Sequence, residues 1–212
     1  MKNLIIIGAG GWAKDVLDSI DYRNFKMVGW LDDIKPAGTE HLGYPVLGSD
    51  VEAIENYSDY VYFIAIGHNG KRKAWWDKLK ARNLSLINVI DRTAIVSAHA
   101  VIGEGNFIGK FTIVSSGASV GDNSIVNTRA LVEHGSEIGN HVNLSTCTTL
   151  NGDVIVGEGA FVGSGSTVNG QITIGEWALV GSGAVVIKDV APHKTVVGVP
   201  AREIESDNRK YN

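Results

Sequence analysis

The sequence lacks the features of secreted and membrane-inserted proteins. Cys147 is the single cysteine, which excludes an internal disulfide framework and fits a reducing compartment. The longest apolar runs, such as Leu4–Ile7 and Val61–Ile66, are far shorter than the roughly 20 residues that a membrane-spanning helix needs. No basic start is followed by a long apolar stretch and a cleavage site. We therefore expect a cytoplasmic protein without a secretory signal and without membrane insertion.

An excess of positive charge is also absent. The 212 residues carry 19 Lys and Arg against 23 Asp and Glu, which gives a formal net charge of −4. A protein that binds nucleic acid needs a basic surface, and neither half of this chain offers one. The hydrophobic content of 44% is that of a folded chain, so a disordered protein is excluded as well.

The first 90 residues alternate short apolar runs with longer mixed segments. Periodicity predicts strands at Leu4–Ile7, Met27–Leu31, Val61–Ile66 and Ser85–Val89, and helices at Trp12–Ile20, Asp50–Tyr57 and Lys71–Arg82. Strands that alternate with helices are typical of a parallel sheet covered on its faces, here a small one.

A glycine-rich loop follows the first predicted strand. Gly8-x-Gly10-x-x-Ala13 stands before a predicted helix, and Asp32 and Asp33 follow about twenty residues on, as in dinucleotide-binding folds. Glycines let the backbone approach phosphates, and a helix N-terminus favours their negative charge. The pattern alone favours an NAD-dependent enzyme. The small number of strands before residue 90, without a second mononucleotide unit, argues against one.

From Val96 onward an aliphatic residue returns at every sixth position. Sixteen successive positions with this spacing, from Val96 to Val186, are all Val, Ile or Leu. A fixed period of six predicts a parallel β-helix, in which three hexapeptides form one triangular coil and residues eighteen apart lie above one another. The residue after each aliphatic is often Gly, which we expect to serve a sharp turn with positive φ. A β-sandwich would instead show period two and irregular loops.

His134 interrupts the small or solvated residues of the turns. Glu133 before it, like Asn127, replaces the expected Gly. The eighteen-residue stacking predicts one column made of Ser116, His134, Gly152, Gly170 and Lys188. Two glycines beside an imidazole predict a groove for a slender ligand. A histidine, whose ordinary pKa is near 6.5, suits a general base at neutral pH. On spacing alone, a solvated turn histidine is the alternative.

Motifs in both halves resemble one family. The repeats followed by Val197-Gly198-Val199-Pro200-Ala201-Arg202 are similar to left-handed β-helix acyltransferases. The resemblance is narrowed to bacterial sugar acetyltransferases by three N-terminal segments: Gly8-Ala9-Gly10-Gly11-Trp12-Ala13-Lys14, Gly29-Trp30-Leu31-Asp32-Asp33 and Ala65-Ile66-Gly67-His68-Asn69. That family includes sialic-acid O-acetyltransferases and N-acetyltransferases of nucleotide-linked 4-amino-4,6-dideoxysugars.

The resemblance covers essentially the whole chain and implies three parts. These are a small α/β Rossmann-like lobe at 1–90, a left-handed parallel β-helix at 91–187, and a C-terminal loop and tail at 188–212 that contributes to CoA binding. It also implies a homotrimer with active sites between subunits. The expected reaction is N-acetylation, by acetyl-CoA, of a nucleotide-linked amino sugar that serves a surface polysaccharide or glycan.

The resemblance also implies roles for individual residues. His134 would be the general base with Glu133 beside it, and the N–H of Gly152 would hold the acetyl carbonyl. The substrate would be bound by Gly8, Gly10, Gly11, Trp12, Asp32, Asp33, Asn69, Lys71 or Arg72, and Asn127. CoA would be bound by Asn143, Gly152, Gly170, Lys188, Pro200 and Arg202. The sequence shows no metal-ligand cluster, so no metal is expected.

Three positions depart from the family pattern. Gly135 stands where members often carry Asp or Glu directly after the base. Asn143 stands where many carry a second histidine, and Trp12 where the loop usually has His. We therefore expect Glu133 or a neighbouring subunit to orient the imidazole, and the Asn143 amide to make the pocket contact. Two alternatives stay open: O-acetylation of sialic acid or another sugar, and a catalytically silent nucleotide-binding or scaffold protein.

Overall fold

The computed structural model describes residues 1–205 and begins with an α/β lobe around a six-stranded sheet. Its elements are β1 (Lys2–Ile7), α1 (Ala13–Asp18), β2 (Phe25–Leu31), β3 (Glu40–His41), β4 (Tyr44–Gly48), β5 (Val61–Ile64), α2 (Asn69–Ala81) and β6 (Ser85–Leu86). The strand order is β3-β4-β2-β1-β5-β6, and only the β3–β4 pair is antiparallel. Leu4–Ile7 is buried because β1 is central and both faces of the sheet are covered.

Parts of this lobe differ from the sequence prediction. The helix predicted at Asp50–Tyr57 is wrong, since the segment forms only 3-10 turns at Val51–Ala53 and Tyr57–Asp59. Asn56, with φ +51°, has a left-handed backbone conformation that separates the two turns. Helix α1 ends at Asp18, two residues before the predicted end. The hairpin of β3 and β4 was not predicted, because a two-residue strand carries no readable periodicity.

The second part of the chain is a parallel β-helix, as the period of six predicted. Its strands are β7 (Val89–Ile90), β8 (Ile95–Val96), β9 (Val101–Ile102), β10 (Phe107–Ile108), β11 (Ile113–Val114), β12 (Ser119–Val120), β13 (Ile125–Val126), β14 (Leu131–Val132), β15 (Glu137–Ile138), β16 (Asn143–Leu144), β17 (Thr149–Leu150), β18 (Ile155–Val156), β19 (Phe161–Val162), β20 (Thr167–Val168), β21 (Thr173–Ile174), β22 (Leu179–Val180), β23 (Val185–Val186), β24 (Thr195–Val197) and β25 (Arg202–Ile204).

Every third strand lies on the same side of the triangular coil. The first face consists of β7, β10, β13, β16, β19, β22 and β24, with β25 added antiparallel to β24. The second face runs from β8 to β23 and the third from β9 to β21. Neighbouring strands pair in register eighteen residues apart, as Ile108 with Val126 and Val126 with Leu144. The aliphatic residues of the repeat point inward and form one core along the axis.

The glycine that follows many of the aliphatic residues has a different cause from the one predicted. Positive φ occurs three residues after the aliphatic, for example at Asn123 and Gly135, and not directly after it. At Gly121 and Gly139 a Cβ would lie 2.9 Å and 3.1 Å from the carbonyl carbon of the residue stacked eighteen positions later. Those glycines are therefore required by the close stacking of successive coils.

The lobe packs against the first face of the β-helix. Trp12 meets Phe107 edge-on, with ring centroids 5.2 Å apart, and both belong to a cluster that also holds Leu4 and Ile6. The second and third faces are not covered by the lobe. Ile95 on the second face is 64% exposed and Val101 on the third face is 69% exposed.

The segment predicted as a C-terminal loop and tail first continues the coil. Val190 bridges to Ile174, and β24 pairs with β22. Residues 206–212, which complete the predicted tail, lie outside the described residues. Up to residue 205 the longest helix is α2, with 13 residues, and no helix is long and apolar enough to cross a bilayer.

Candidate functional site

A pocket opens where the connections of the parallel sheet diverge. The chain leaves β1 through α1 toward β2, and leaves β5 through α2 toward β6, on the opposite face of the sheet. Such a switch point leaves a crevice at the carboxyl ends of the strands, which is the usual ligand site of open α/β sheets. The pocket has a volume of about 450 Å³. Its walls include Gly8, Gly10, Gly11, Trp12, Asp32, Asp33, Gly67, Lys71 and Trp75.

Close approach of two loops shapes the floor of this pocket. Gly8 has φ +93°, and a Cβ there would lie 2.9 Å from the carbonyl oxygen of Ala65. A side chain at position 8 would therefore push the β1 and β5 loops apart.

Asp32 supports the loop rather than facing the pocket with a free carboxylate. Its oxygens accept hydrogen bonds from the backbone N–H groups of Ala9 at 2.7 Å, Lys35 at 2.8 Å and Ile34 at 3.0 Å. Burial alone would raise the pKa of Asp32, but the three donors outweigh it and hold the pKa below its ordinary value. Asp33, by contrast, is exposed at the pocket wall.

The remaining wall suits an anionic group. A Cβ on Gly10 or Gly11 would meet nothing within 4 Å, so the backbone there faces open space. Lys71 supplies a cation from the first turn of α2, a helix whose first turn carries no acidic residue. Helix α1 has only six residues and carries Asp15 in its first turn, so the predicted contribution of its N-terminus is small.

Trp12 lies between the pocket and the first face of the β-helix. Its ring packs on Phe107 and, 6.5 Å between centroids, on Phe63. Its indole Nε1 is buried and has no hydrogen-bond partner among the residues described. The tryptophan therefore joins the lobe to the coil while forming one wall of the pocket.

Asn69 and Arg72 were predicted to bind the substrate, and the structure corrects this. Arg72 is 1% exposed, and its guanidinium donates to the carbonyls of Asn123 and His141 at 2.9 Å and 2.7 Å. It also donates to the carbonyls of Ile66, Gly67 and Val142 and to Oδ1 of Asn69. Asn69 is fully buried, and its amide donates to the carbonyl of Gly159 at 2.9 Å. The hydrogen bonds of both side chains therefore join the lobe to the coil, and neither side chain is available to a substrate.

Arg72 has no carboxylate partner among residues 1–205, and the groups that its guanidinium hydrogen-bonds are neutral. Burial lowers the pKa of Arg72 to about 9, so the guanidinium stays charged at neutral pH. Burial, together with the charges of Arg72 and Lys73, lowers the pKa of His141 to about 4. The neutral His141 ring lies with Nδ1 2.8 Å from the Asn123 amide nitrogen.

Asn143 faces the pocket loop rather than the predicted CoA groove. Its amide nitrogen donates to the carbonyl of Gly67 at 3.2 Å, and the residue is 7% exposed. Within one chain, the amide contact expected from Asn143 is therefore made to the β5–α2 loop.

The turns between the second and third faces form the histidine corner, at residues 115–118, 133–136, 151–154 and 169–172. His134 is exposed there, with its ring against Gly152 of the next coil. A Cβ at Gly152 would lie 2.5 Å from Cε1 and 2.7 Å from Nε2 of the imidazole. The N–H of Gly152 has no hydrogen-bond acceptor in the described part of the chain. The corner therefore offers a ring nitrogen and a free N–H side by side, beneath Gly170.

Glu133 points away from the imidazole. Its Oε2 lies 3.4 Å from Ser115 Oγ in the coil below and 3.4 Å from the backbone nitrogen of His134. The ring lies against Gly152 in the coil above. The expectation that Glu133 orients the ring within its own chain is therefore not met.

A second cavity, of about 280 Å³, lies at the C-terminal end of the β-helix. Lys188, Lys194 and Arg202 line it together with Asp189 and Glu203. Lys194 is paired with Glu203 at 2.6 Å. The predicted CoA residues Lys188 and Arg202 thus lie together, and Pro200 is exposed in the turn between β24 and β25, two residues before Arg202. Arg209 and Lys210, which the tail prediction included, lie outside the described residues.

The histidine corner and the pocket of the lobe lie on opposite sides of one chain. In a triangular coil the corner between the second and third faces is opposite the first face, and the lobe covers the first face. Asn127, predicted to share a pocket with His134, is on the corner between the first and second faces. Its Oδ1 accepts the N–H of Thr128 at 2.8 Å. One chain alone therefore does not bring these predicted residues together.

Two family models match the two parts of the chain. The PglD N-terminal domain matches residues 3–79, and the bacterial transferase hexapeptide (six repeats) matches residues 153–188. Perosamine N-acetyltransferase from Caulobacter crescentus, solved with CoA and GDP-perosamine, is 32% identical, with a TM-score of 0.90 over 97% of this chain and 98% of that one. The chain belongs to the sugar N-acetyltransferase family.

Other members of the sugar N-acetyltransferase family agree with this assignment. The acetyltransferase domain of PglB from Neisseria gonorrhoeae is 30% identical, with a TM-score of 0.89 over 96% of this chain and 100% of that one. UDP-N-acetylbacillosamine N-acetyltransferase from Bacillus subtilis is 38% identical over 113 residues, and the aligned segment spans 51% of each chain, about half of that curated relative. The predicted fold, an α/β lobe followed by a left-handed parallel β-helix, is confirmed.

Sequence reasoning gave no role to two features of this family member. One is the β5–α2 loop at Ile66 and Gly67, which was quoted only as part of a motif; it forms a pocket wall, and its carbonyls accept hydrogen bonds from Arg72 and Asn143. The other is Asp153, the residue after Gly152, in the turn that stacks on His134. The eighteen-residue stacking period could have pointed to Asp153, because Asp153 stands eighteen residues after Gly135 and therefore stacks on it.

Proposed function

We propose that the protein transfers an acetyl group from acetyl-CoA to the amine of a nucleotide-linked 4-amino-4,6-dideoxysugar, for a surface polysaccharide or glycan. The observation that supports it most is the position of the His134 ring over Gly152, at the foot of a column that leads to a cationic cavity. Relatives that cover 96% and 97% of this chain were solved with acetyl-CoA, or with CoA and GDP-perosamine. Acetyl-CoA is a metabolite of the cytoplasm, so we propose that the reaction takes place there.

The chemistry proposed for the histidine corner is a direct acyl transfer. The sugar amine attacks the thioester carbonyl, a C–N bond forms, and His134 accepts the proton of the amine. The free N–H of Gly152 donates to the oxygen that becomes negative in the tetrahedral intermediate. The C–S bond then breaks, and the CoA thiolate leaves with the proton carried by His134. No metal is required in this scheme.

The donor side follows from the glycine column. Above His134 the next two positions of the column are Gly152 and Gly170, and the third is Lys188. Three coils at about 4.8 Å each give a path of about 14 Å without side chains. An extended pantetheine arm fits such a path, with its thioester at His134 and its phosphates at Lys188 and Arg202.

The acceptor side is the pocket of the lobe. The open backbone at Gly10 and Gly11 and the cation of Lys71 suit a diphosphate, and the exposed Asp33 suits a ribose or base donor. Because this pocket and His134 lie on opposite sides of one chain, the proposed site needs a second chain. The neighbour would bring its histidine corner to the pocket.

A homotrimer fits that requirement. Ile95 and Ile113 on the second face and Val101 and Ile155 on the third are exposed apolar side chains that the lobe does not cover. Patches of this kind favour contact between copies.

Ligand binding tests the proposal first. Acetyl-CoA, and one of UDP, dTDP, GDP and CMP, should each raise the melting temperature of the protein. At a hundred times its dissociation constant a ligand adds about 2.7 kcal/mol to the stability of the native state. Release of CoA thiol with the matching nucleotide-linked amino sugar then measures transfer. A rise in melting temperature with acetyl-CoA alone would favour O-acetylation of a free sugar. No rise with acetyl-CoA would contradict the proposed enzyme activity and favour a catalytically silent binding protein.

Mixed oligomers test the shared site. Gly10→Glu fills the phosphate side of the pocket without touching its surroundings, and His134→Asn removes the base. Each variant alone should be inactive. Co-expressed chains should regain transfer at roughly a quarter of sites, because half of the lobes and half of the neighbouring corners are intact in a random mixture. Absence of any regained activity in proven mixed oligomers would mean that each chain builds its own site.

A further inference from the structure

Four residues at the histidine corner form a square in two successive coils. His134 and Gly135 lie in one coil, and Gly152 and Asp153 lie directly above them, with the Asp153 N–H donating to the His134 carbonyl at 2.9 Å. The imidazole of His134 occupies the space that a side chain at Gly152 would need. A Cβ on Gly135 would overlap Oδ1 of Asp153. The two glycines stand on one diagonal and the two functional side chains on the other, and each side chain fills the space that the facing glycine leaves.

This arrangement places the carboxylate of Asp153 in the column next to that of the imidazole, in the coil that the ring faces. Glu133 is turned toward Ser115 in the coil below, and Gly135 has no side chain. A side chain at 135 and the present carboxylate of Asp153 exclude one another, because they need the same space. The acidic side chain nearest in position to His134 on this corner, Asp153, thus belongs to the next coil and not to the turn that carries His134.

We infer that Asp153 is the positioning residue for His134, its carboxylate holding one ring N–H so that the other ring nitrogen faces the substrate amine. The inference rests on the proposed acetyl transfer. A neutral imidazole has one donor and one acceptor nitrogen, and a fixed acceptor beside the donor selects the tautomer and the ring orientation. The carboxylate also stabilises the imidazolium that forms when the base accepts the proton. In structures without substrate such contacts are often looser than in the reacting complex.

Few other charges face this pair. Glu133 shares the turn but points down, and Lys188 stands three coils above in the His134 column. The coil below offers Ser116 and Gly117, and the coil above Asp153 offers Gly170 and Gln171, none of which titrates. Removal of the Asp153 charge is therefore the main electrostatic change that a variant at this position makes at the base.

The test compares Asp153→Asn with Glu176→Gln in the full oligomeric protein, with acetyl-CoA and GDP-perosamine or the equivalent UDP-linked amino sugar. Asn tolerates the φ of +59° at position 153, so the fold should be kept. Glu176 is an exposed acid on another corner, and its variant should behave as wild type. For Asp153→Asn we expect kcat to fall at least about tenfold with both KM values within about twofold.

The outcomes separate the inference from the proposed function. Asp153→Glu, which keeps the anion, should retain more turnover than Asp153→Asn. Turnover of Asp153→Asn within twofold of wild type, in a protein that needs His134, would overturn the inference and leave the function intact. A loss of turnover with a lowered melting temperature, which Asp153→Glu does not recover, would make Asp153 structural, which also overturns it. A wild-type protein that transfers no acetyl group would overturn both.

Discussion

His134→Asn should lower kcat at least 10²-fold while acetyl-CoA and the nucleotide still bind within a few-fold of wild type. The imidazole is exposed over Gly152 and contacts no core residue, so its loss should change the chemistry rather than the fold. A general base contributes about 10²–10⁴ to a rate, which corresponds to about 3–5 kcal/mol of the barrier. Steady-state kinetics of CoA release, with binding measured separately by calorimetry, checks both parts.

A matched control is available on the same corner. His99 is another exposed histidine, two coils below Gly135 and away from the glycine column. His99→Asn should leave kcat unchanged. If His134→Asn kept more than about a third of wild-type turnover, the role of base would have to pass to another group.

Arg72→Met should destabilise the protein by about 3–5 kcal/mol. The methionine fills similar volume but leaves buried carbonyls of Asn123, His141 and Gly67 without their donors, and each unsatisfied acceptor costs about 1–3 kcal/mol. Arg72→Lys should lose much of the same stability, because an ammonium lacks the planar fork that serves several carbonyls at once. Urea unfolding at one fixed protein concentration measures the change, since stability of an oligomer depends on concentration.

Lys73→Met is the control for that variant. Lys73 stands next to Arg72 on α2 and pairs with Asp77 at 2.8 Å, with both side chains partly exposed. Such surface pairs contribute little, so the change should stay within about 0.5 kcal/mol. Arg72→Met should also weaken nucleotide binding, because the Ile66–Gly67 loop forms a pocket wall. A loss of stability below about 1 kcal/mol would mean that the lobe and the coil are joined mainly by Trp12, Phe107 and their apolar neighbours.

The fold could be predicted from the sequence wherever one residue type repeats with a fixed period. The aliphatic of every sixth position predicted the coil, its core and the stacking of His134 over Gly152. The bounds of short elements could not be predicted from the sequence. Strand β3 has two residues, and α1 ends after six at Asp18, although its apolar periodicity continues to Ile20.

The site was only partly predictable, because several of its residues owe their role to contacts between distant segments. Asn69 and Arg72 stand beside a nucleotide-type loop and are interpreted as ligand residues from the sequence, yet several of their partners are carbonyls 51 to 90 residues away. Charge in a sequence does not reveal whether the side chain will meet solvent or a ring of carbonyls. Asp153 was missed for the opposite reason, since its neighbour is eighteen residues back and not adjacent in the chain.

Because the coils stack regularly, the distance between His134 and the cation at Lys188 can change only by whole coils. The path from His134 to Lys188 is three coils, so a relative that gained or lost eighteen residues between Gly152 and Lys188 would lengthen or shorten it by about 4.8 Å. Six or twelve residues added to the repeat itself would instead move Lys188 to another corner of the coil. The number of residues between His134 and Lys188 therefore sets the length of donor that fits between them. Selection for a given donor would allow this number to change only by multiples of eighteen.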